Sequence, residues 1–171
     1  MMKPFRCQIC GETYLGEKEA DRCPFCGAAG KHLVPAVEWY PYGKAEMSPQ
    51  SYEYCKRAVE LELDNAAYYK ASASKSETRL TSAIFKRLFK QELEHAELIC
   101  EMMGIDQPEL PQVESPEYDE DKFKEAHYRE QRAIKFYLEI VEKASEPRVK
   151  DVFKALAEIE AEHLQMSNIY R

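Results

Sequence analysis

From Ser48 to the end of the chain, apolar residues recur at alternating steps of three and four, the spacing that keeps one stripe of a helix against a core. The pattern predicts long helices at roughly 49–75, 79–103, 119–145 and 148–170. Ser48-Pro49 suits an N-cap followed by Pro in the first turn, and Pro147 suits the first turn of the last helix. The breaks at 75–80 and 145–148 are short, so each should close an antiparallel helix hairpin. The middle connection differs, because residues 104–118 contain three Pro and cannot continue a helix. Fifteen residues reach about 50 Å when extended and a 25-residue helix is about 38 Å long, so this loop can run the length of a bundle. The expected architecture is mainly α: two hairpins joined by one long crossover.

Residues 1–37 show no helical period, and they hold four of the six Cys and four of the six Gly. A module this short cannot bury enough apolar surface to hold itself together and needs a staple. Cys7-x2-Cys10 and Cys23-x2-Cys26, twelve residues apart, provide one as four thiolates on one metal. The competing reading is two disulfides or free thiols. The spacing alone does not separate zinc from iron. The chain thus divides into a four-cysteine domain (1–37), a linker (38–50) and a helical bundle (51–171). Trp39 in the linker is expected to pack the small module onto the large one. Cys55 and Cys100 read as small buried hydrophobes, Met102 and Met103 as the closing end of the core, and His32 as a surface residue.

The two hairpins repeat without a gap at an offset of 68. From 62 to 95, nine positions are identical to their mates, among them Glu62/Glu130, Tyr69/Tyr137, Glu92/Glu160 and His95/His163. The core stripes run Cys55, Val59, Glu62, Ala66, Tyr69, Ala73; then Phe85, Leu88, Glu92, His95, Ile99, Met102; then Phe123, His127, Glu130, Ile134, Tyr137, Val141; then Val149, Phe153, Leu156, Glu160, His163. Four Glu and two paired His therefore fall on stripes that are otherwise mostly apolar. A buried carboxylate takes up a proton or finds a cation, and four together repel one another. No Lys or Arg occupies the stripes. Two divalent metals would cancel four carboxylates, and a His three residues after Glu92 and after Glu160 adds one nitrogen per metal on the same face. Ferritin-like di-iron bundles hold their metals with this same set, one Glu from each of two helices and Glu-x-x-His from each of the other two. Such ligands suit iron or manganese, and zinc tolerates them.

Charge narrows the partners. Lys plus Arg is 24 against 31 Asp plus Glu, a net charge of −7. With no basic run and no apolar segment of membrane-spanning length, neither nucleic acid nor a membrane is expected as a partner, and a cytoplasmic location is expected.

The segments FRCQICGETY and CPFCG, followed by ELDNAAYY, QELEH, EQRAIKFY and EIEAEH, together resemble the rubrerythrins. The order, with the rubredoxin-like module first and the ferritin-like bundle second, resembles the reverse rubrerythrins. The resemblance implies one iron on Cys7, Cys10, Cys23 and Cys26, and two on Glu62, Glu92, His95, Glu130, Glu160 and His163. It gives Tyr69 and Tyr137 a supporting role beside the ligands. One feature departs from the family pattern: the extra carboxylate one turn after the third helix's Glu is here Ala133, whose repeat mate is Asn65. His127, one turn before Glu130, is a candidate substitute, against a core-edge His bonded to a neighbour.

By the same resemblance the expected activity is reduction of hydrogen peroxide to water at the bundle irons. Electrons would come through the thiolate-bound iron from a rubredoxin or an NAD(P)H-dependent reductase. A head-to-tail homodimer, with electrons crossing between chains, is also implied. The alternatives are a ferroxidase or iron-handling protein using O2, and a non-enzymatic zinc- or iron-binding stress protein.

Overall fold

The computed structural model describes residues 1–170. Arg171, the last residue of the expected second domain, lies outside the described residues. The first module is a three-stranded antiparallel sheet of β1 (Lys3–Cys7), β2 (Thr13–Gly16) and β3 (Leu33–Pro35), in the order β2-β1-β3. Phe5 pairs with Tyr14 on one side and Pro35 on the other. Each Cys-x-x-Cys closes into the same turn: Gly11 N–H donates to the Cys7 carbonyl at 2.9 Å, and Gly27 N–H to the Cys23 carbonyl at 3.0 Å. Gly11 and Gly27 have φ of +81° and +86°, a conformation that a side chain would strain.

The bundle consists of α1 (Pro49–Ser74), α2 (Arg79–Met103), α3 (Asp119–Lys143) and α4 (Pro147–Tyr170). Ser48 caps α1 by accepting from Ser51 N–H at 3.1 Å, and Thr78 and Thr81 form a capping box on α2. Gly104 ends α2 in the left-handed region. Helix α3 stops two residues before its expected end, because Ala144 is extended while its N–H closes on the Ile140 carbonyl. The α1–α2 and α3–α4 hairpins pack side by side as a ferritin-like four-helix bundle, and residues 104–118 cross between them beside α1, where Ser72 and Ser115 hydroxyls meet at 2.9 Å. Each hairpin turn is tied to the start of the other hairpin. Glu146 accepts from Ser48 N–H and Ser51 Oγ, both at 2.6 Å, while Asp119 N–H donates to Glu77 at 2.7 Å.

The expected stripes of α1, α2 and α4 are buried throughout. On α3 the stripe shifts. Ile134 and Val141 are only half-buried, and Ala133 and Ile140 face the core instead. With Tyr137 turned fully inward, the residues four before and three after it share its face, which moves the stripe by one position. Cys55, Cys100, Met102 and Met103 are buried. His32 is half-buried. Trp39 takes a different place from the expected one. Its indole lies under Arg6 at 3.6 Å and donates to the Cys7 carbonyl at 3.1 Å, so it closes its own module. Among the described residues no helix is long and apolar enough to cross a membrane.

Candidate metal centres

The four cysteines of the small module converge, all buried and all free of disulfides. Cys7 and Cys26 Sγ are 3.8 Å apart, as are Cys10 and Cys23 Sγ. A disulfide needs about 2.05 Å. A tetrahedron with metal–sulfur bonds of about 2.3 Å has edges of about 3.8 Å, so the sulfurs already stand at metal-site spacing. Ile9 N–H donates to Cys7 Sγ at 3.4 Å, the kind of bond that stabilises a thiolate.

The bundle brings together all six of the side chains that its sequence singled out. They form two overlapping groups: Glu62, Glu92, His95 and Glu160, and Glu92, Glu130, Glu160 and His163. Glu92 and Glu160, on the two Glu-x-x-His helices, belong to both and can bridge. Glu62 from α1 and Glu130 from α3 each belong to one. The sequence sets Glu92 and Glu160 apart by the His that follows each, but it does not say that these two are the shared ones. His95 Nδ1 lies 3.2 Å from Glu160 and 3.4 Å from Glu62; His163 Nδ1 lies 2.8 Å from Glu160 and 3.2 Å from Glu92. All four carboxylates and His95 are fully buried.

The donor set fits a pair of cations on structural grounds. Among the described residues, nine buried side-chain nitrogen or oxygen atoms lack a hydrogen-bond partner, and six of them belong to this cluster: Glu62 Oε2, both Glu92 oxygens, His95 Nδ1, Glu130 Oε2 and Glu160 Oε1. Native proteins satisfy nearly all such atoms, so this concentration marks atoms aimed at something other than protein. The imidazoles are set for the same purpose. His95 Nε2–H donates to the Cys26 carbonyl at 2.8 Å, and His163 Nε2–H to Gln91 Oε1 at 2.9 Å. A carbonyl only accepts, so Nε2 carries a proton, and Nδ1, which faces the carboxylates, is the nitrogen left to bind a metal once its own proton is gone.

Two tyrosines brace the cluster in a crossed arrangement. Tyr69 of the first hairpin donates to Glu130 of the second, and Tyr137 of the second donates to Glu62 of the first. Each Tyr therefore holds the unshared Glu of the other half. Phe85 stacks on Tyr69, and its repeat mate Phe153 packs on Tyr137, which keeps water from these bonds. Burial, then the charges of the neighbouring glutamates, pushes both phenols well above their usual range. In the metal-free chain, burial and the adjacent Glu160 raise Glu92 and Glu130 well above the ordinary carboxylate range. Burial also opposes ionisation of Glu160, but His163 and His95 beside it hold that carboxyl low.

The module docks across α2 and α4 and brings the two centres into contact. Arg148 of α4 donates to the Gln8 and Ile9 carbonyls at 2.8 and 2.9 Å, and Arg22 pairs with Glu162 at 2.7 Å. Cys26, one of the four thiols, is joined by its main chain to His95. Nothing in the sequence signalled this contact or the part of Gln91. His127 joins neither ligand group; its Nδ1 lies 3.3 Å from Ser167 Oγ, the arrangement of a bonded core-edge histidine. Ala133 is buried and offers no ligand.

Comparison with known proteins agrees with this geometry. Residues 53–168 match the family model for rubrerythrin. Reverse rubrerythrin-1 of Clostridium acetobutylicum is 27% identical over 114 residues, which cover 60% of this chain and 63% of that protein, just under two thirds of its length. A ferritin from the green alga Ulva pertusa superposes with a TM-score of 0.60 at 15% identity, over 80% of each chain. A hypothetical protein from Pyrococcus furiosus does so with a TM-score of 0.59 at 20% identity, over 70% of this chain and 86% of its own. These two share the fold. With the matched segment carrying every bundle ligand candidate and the four-cysteine module ahead of it, the chain belongs to the rubrerythrin family.

Proposed function

We propose that this protein is a peroxide reductase: iron in the bundle, reloaded by iron in the four-cysteine module, reduces hydrogen peroxide to water. The observation that carries this reading is the hydrogen bond from His95 Nε2–H to the Cys26 carbonyl, which puts a thiolate centre in direct contact with a carboxylate–histidine centre. A ferroxidase takes its electrons from the ferrous iron it oxidises; a peroxidase that turns over must be re-reduced, a task that a thiolate-bound iron in contact with the bundle would serve.

Two ferrous ions held by Glu62, Glu92, His95, Glu130, Glu160 and His163 would supply two electrons and the Lewis acidity to cleave the O–O bond. The chain's own residues prepare the site for that chemistry. Glu92 and Glu160, each in both ligand groups, would serve both metal positions. Tyr69 and Tyr137 orient Glu130 and Glu62 by donating their phenol protons to them. The surrounding aromatic rings exclude bulk water. Cys26, its carbonyl and the His95 ring form a bonded route between the centres inside one chain, which supports electron delivery within a protomer; the head-to-tail pairing that the family resemblance implies would add a route between chains. The electron source is a rubredoxin or an NAD(P)H-dependent reductase.

Rapid mixing of the anaerobically reduced protein with peroxide, and separately with O2, tests the reading. Faster oxidation by peroxide, with the thiolate-iron colour returning, supports it. Faster oxidation by O2 favours the ferroxidase, and a colourless zinc-loaded cysteine module removes the internal donor.

A further inference from the structure

The repeat of the two hairpins is broken where it meets the outer nitrogens of the imidazoles. Gln91 on α2 accepts from His163 Nε2–H at 2.9 Å. Its mate on α4 is Ile159, which has no acceptor to offer His95. The main-chain carbonyl of Cys26 fills that role at 2.8 Å. One imidazole is thus held by a main-chain group, the other by the side chain of a single residue.

Their surroundings differ in the same sense. His95 is fully buried beneath the cysteine module, whereas His163 retains 7% exposure. His163 and Gln91 line a cleft of about 290 Å³ walled by Ile84, Leu88 and Met166. Gly27 packs against the outer side of Gln91; a Cβ there would stand 3.0 Å from Gln91 Nε2. The amide is therefore confined between the module's turn and the ring it holds.

We infer that the two bundle metal positions are unequal, and that Gln91 is the positioning residue for the solvent-facing one, formed by Glu130 and His163 with the shared Glu92 and Glu160. This rests on the two-metal reading of the bundle. An acceptor at Nε2–H fixes the tautomer that presents Nδ1 and raises its basicity. Without it, the His163 ring is free to turn toward the cleft. The position formed by Glu62 and His95 has no such weak point, because a backbone carbonyl holds its imidazole.

The test is anaerobic Co2+ titration of the full chain and of Gln91→Leu and Gln91→Glu, followed by calorimetry, with the cysteine site reported separately by its thiolate-to-cobalt absorption. Loss of an outer hydrogen-bond partner of a metal ligand typically costs about 10- to 100-fold in affinity. The leucine variant should weaken one bundle ion by that factor and leave the other and the cysteine site unchanged. The glutamate variant, which keeps an acceptor, should retain both. The inference is overturned if the leucine variant binds both ions as the parent does, if both bundle positions weaken together, or if leucine and glutamate weaken alike. A parent chain that binds no bundle Co2+ overturns the two-metal reading itself, and is told apart because no variant is needed to see it.

Discussion

His95 Nε2 and the Cys26 carbonyl oxygen are 2.8 Å apart, so a candidate ligand of the bundle centre is hydrogen-bonded to the main chain of a candidate ligand of the thiolate centre. The approach depends on the residue next in sequence. Gly27 has φ of +86°, and a Cβ there would lie 3.0 Å from Gln91 Nε2 and 3.3 Å from Ile159 Cγ2. Gly27→Ala should therefore cost about 1–2 kcal/mol from backbone strain alone and push the module off the bundle. Thermal melts should show the destabilisation, and stopped-flow should show slower electron transfer from the thiolate iron to the bundle. Unchanged transfer would mean that the contact is not the route.

The crossed tyrosines give a crossed prediction. Tyr69→Phe releases Glu130, so it should weaken the metal position that includes His163; Tyr137→Phe releases Glu62 and should weaken the position that includes His95. Each loss should be about 10- to 100-fold in affinity. Metal titration of the two variants checks it, and identical effects on the same position would rule out the crossed pairing.

Glu92 belongs to both ligand groups, so its loss should cost both bundle metals rather than one. Glu92→Ala should lose the bundle iron and keep the red thiolate colour. Metal analysis with visible absorption reads both at once, and loss of the colour as well would show that the two sites are not independent.

The pH dependence of the metal-free and loaded chains should diverge. In the metal-free chain, Glu92 and Glu130 titrate well above the ordinary value of 4.5. Below that value they are protonated folded and unfolded alike; above it the unfolded chain releases protons that the folded chain keeps, so their burial costs stability as pH rises. His95 and His163 are raised above 6.5 by the surrounding carboxylates, against the effect of burial, and their contribution is also lost as pH climbs past that value. Glu160, held low, has the opposite sign: its contribution disappears as pH falls below 4.5. The metal-free chain should thus be most stable in mildly acidic solution. Metal binding needs deprotonated ligands and strengthens with pH, so the gap in Tm between loaded and metal-free protein should widen from about pH 5 to about pH 8. A constant gap would argue against these carboxylates as ligands.

The helices, the crossover and the six polar residues in the core were legible in the sequence because a 3.6-residue period exposes any polar residue that interrupts an apolar stripe. The four-cysteine module was legible from spacing. Relations between distant elements were not. The shared role of Glu92 and Glu160, the exchange of Tyr69 and Tyr137 between halves, and the holding of His95 by Cys26 all depend on how helices and module pack, which period does not encode. On α3 the period pointed to Ile134 and Val141, and the core took Ala133 and Ile140 instead. Trp39, a lone aromatic in a linker, could close its own module or dock it, and only the packing distinguishes them.

The most direct test of a peroxide-reducing two-centre protein is anaerobic titration of the fully reduced, iron-loaded chain with hydrogen peroxide, followed by visible absorption. The predicted result is one peroxide consumed for each pair of bundle irons oxidised, with the thiolate-iron colour returning as further peroxide is reduced. A chain that leaves peroxide unconsumed, or whose thiolate iron stays reduced while the bundle is oxidised, contradicts it.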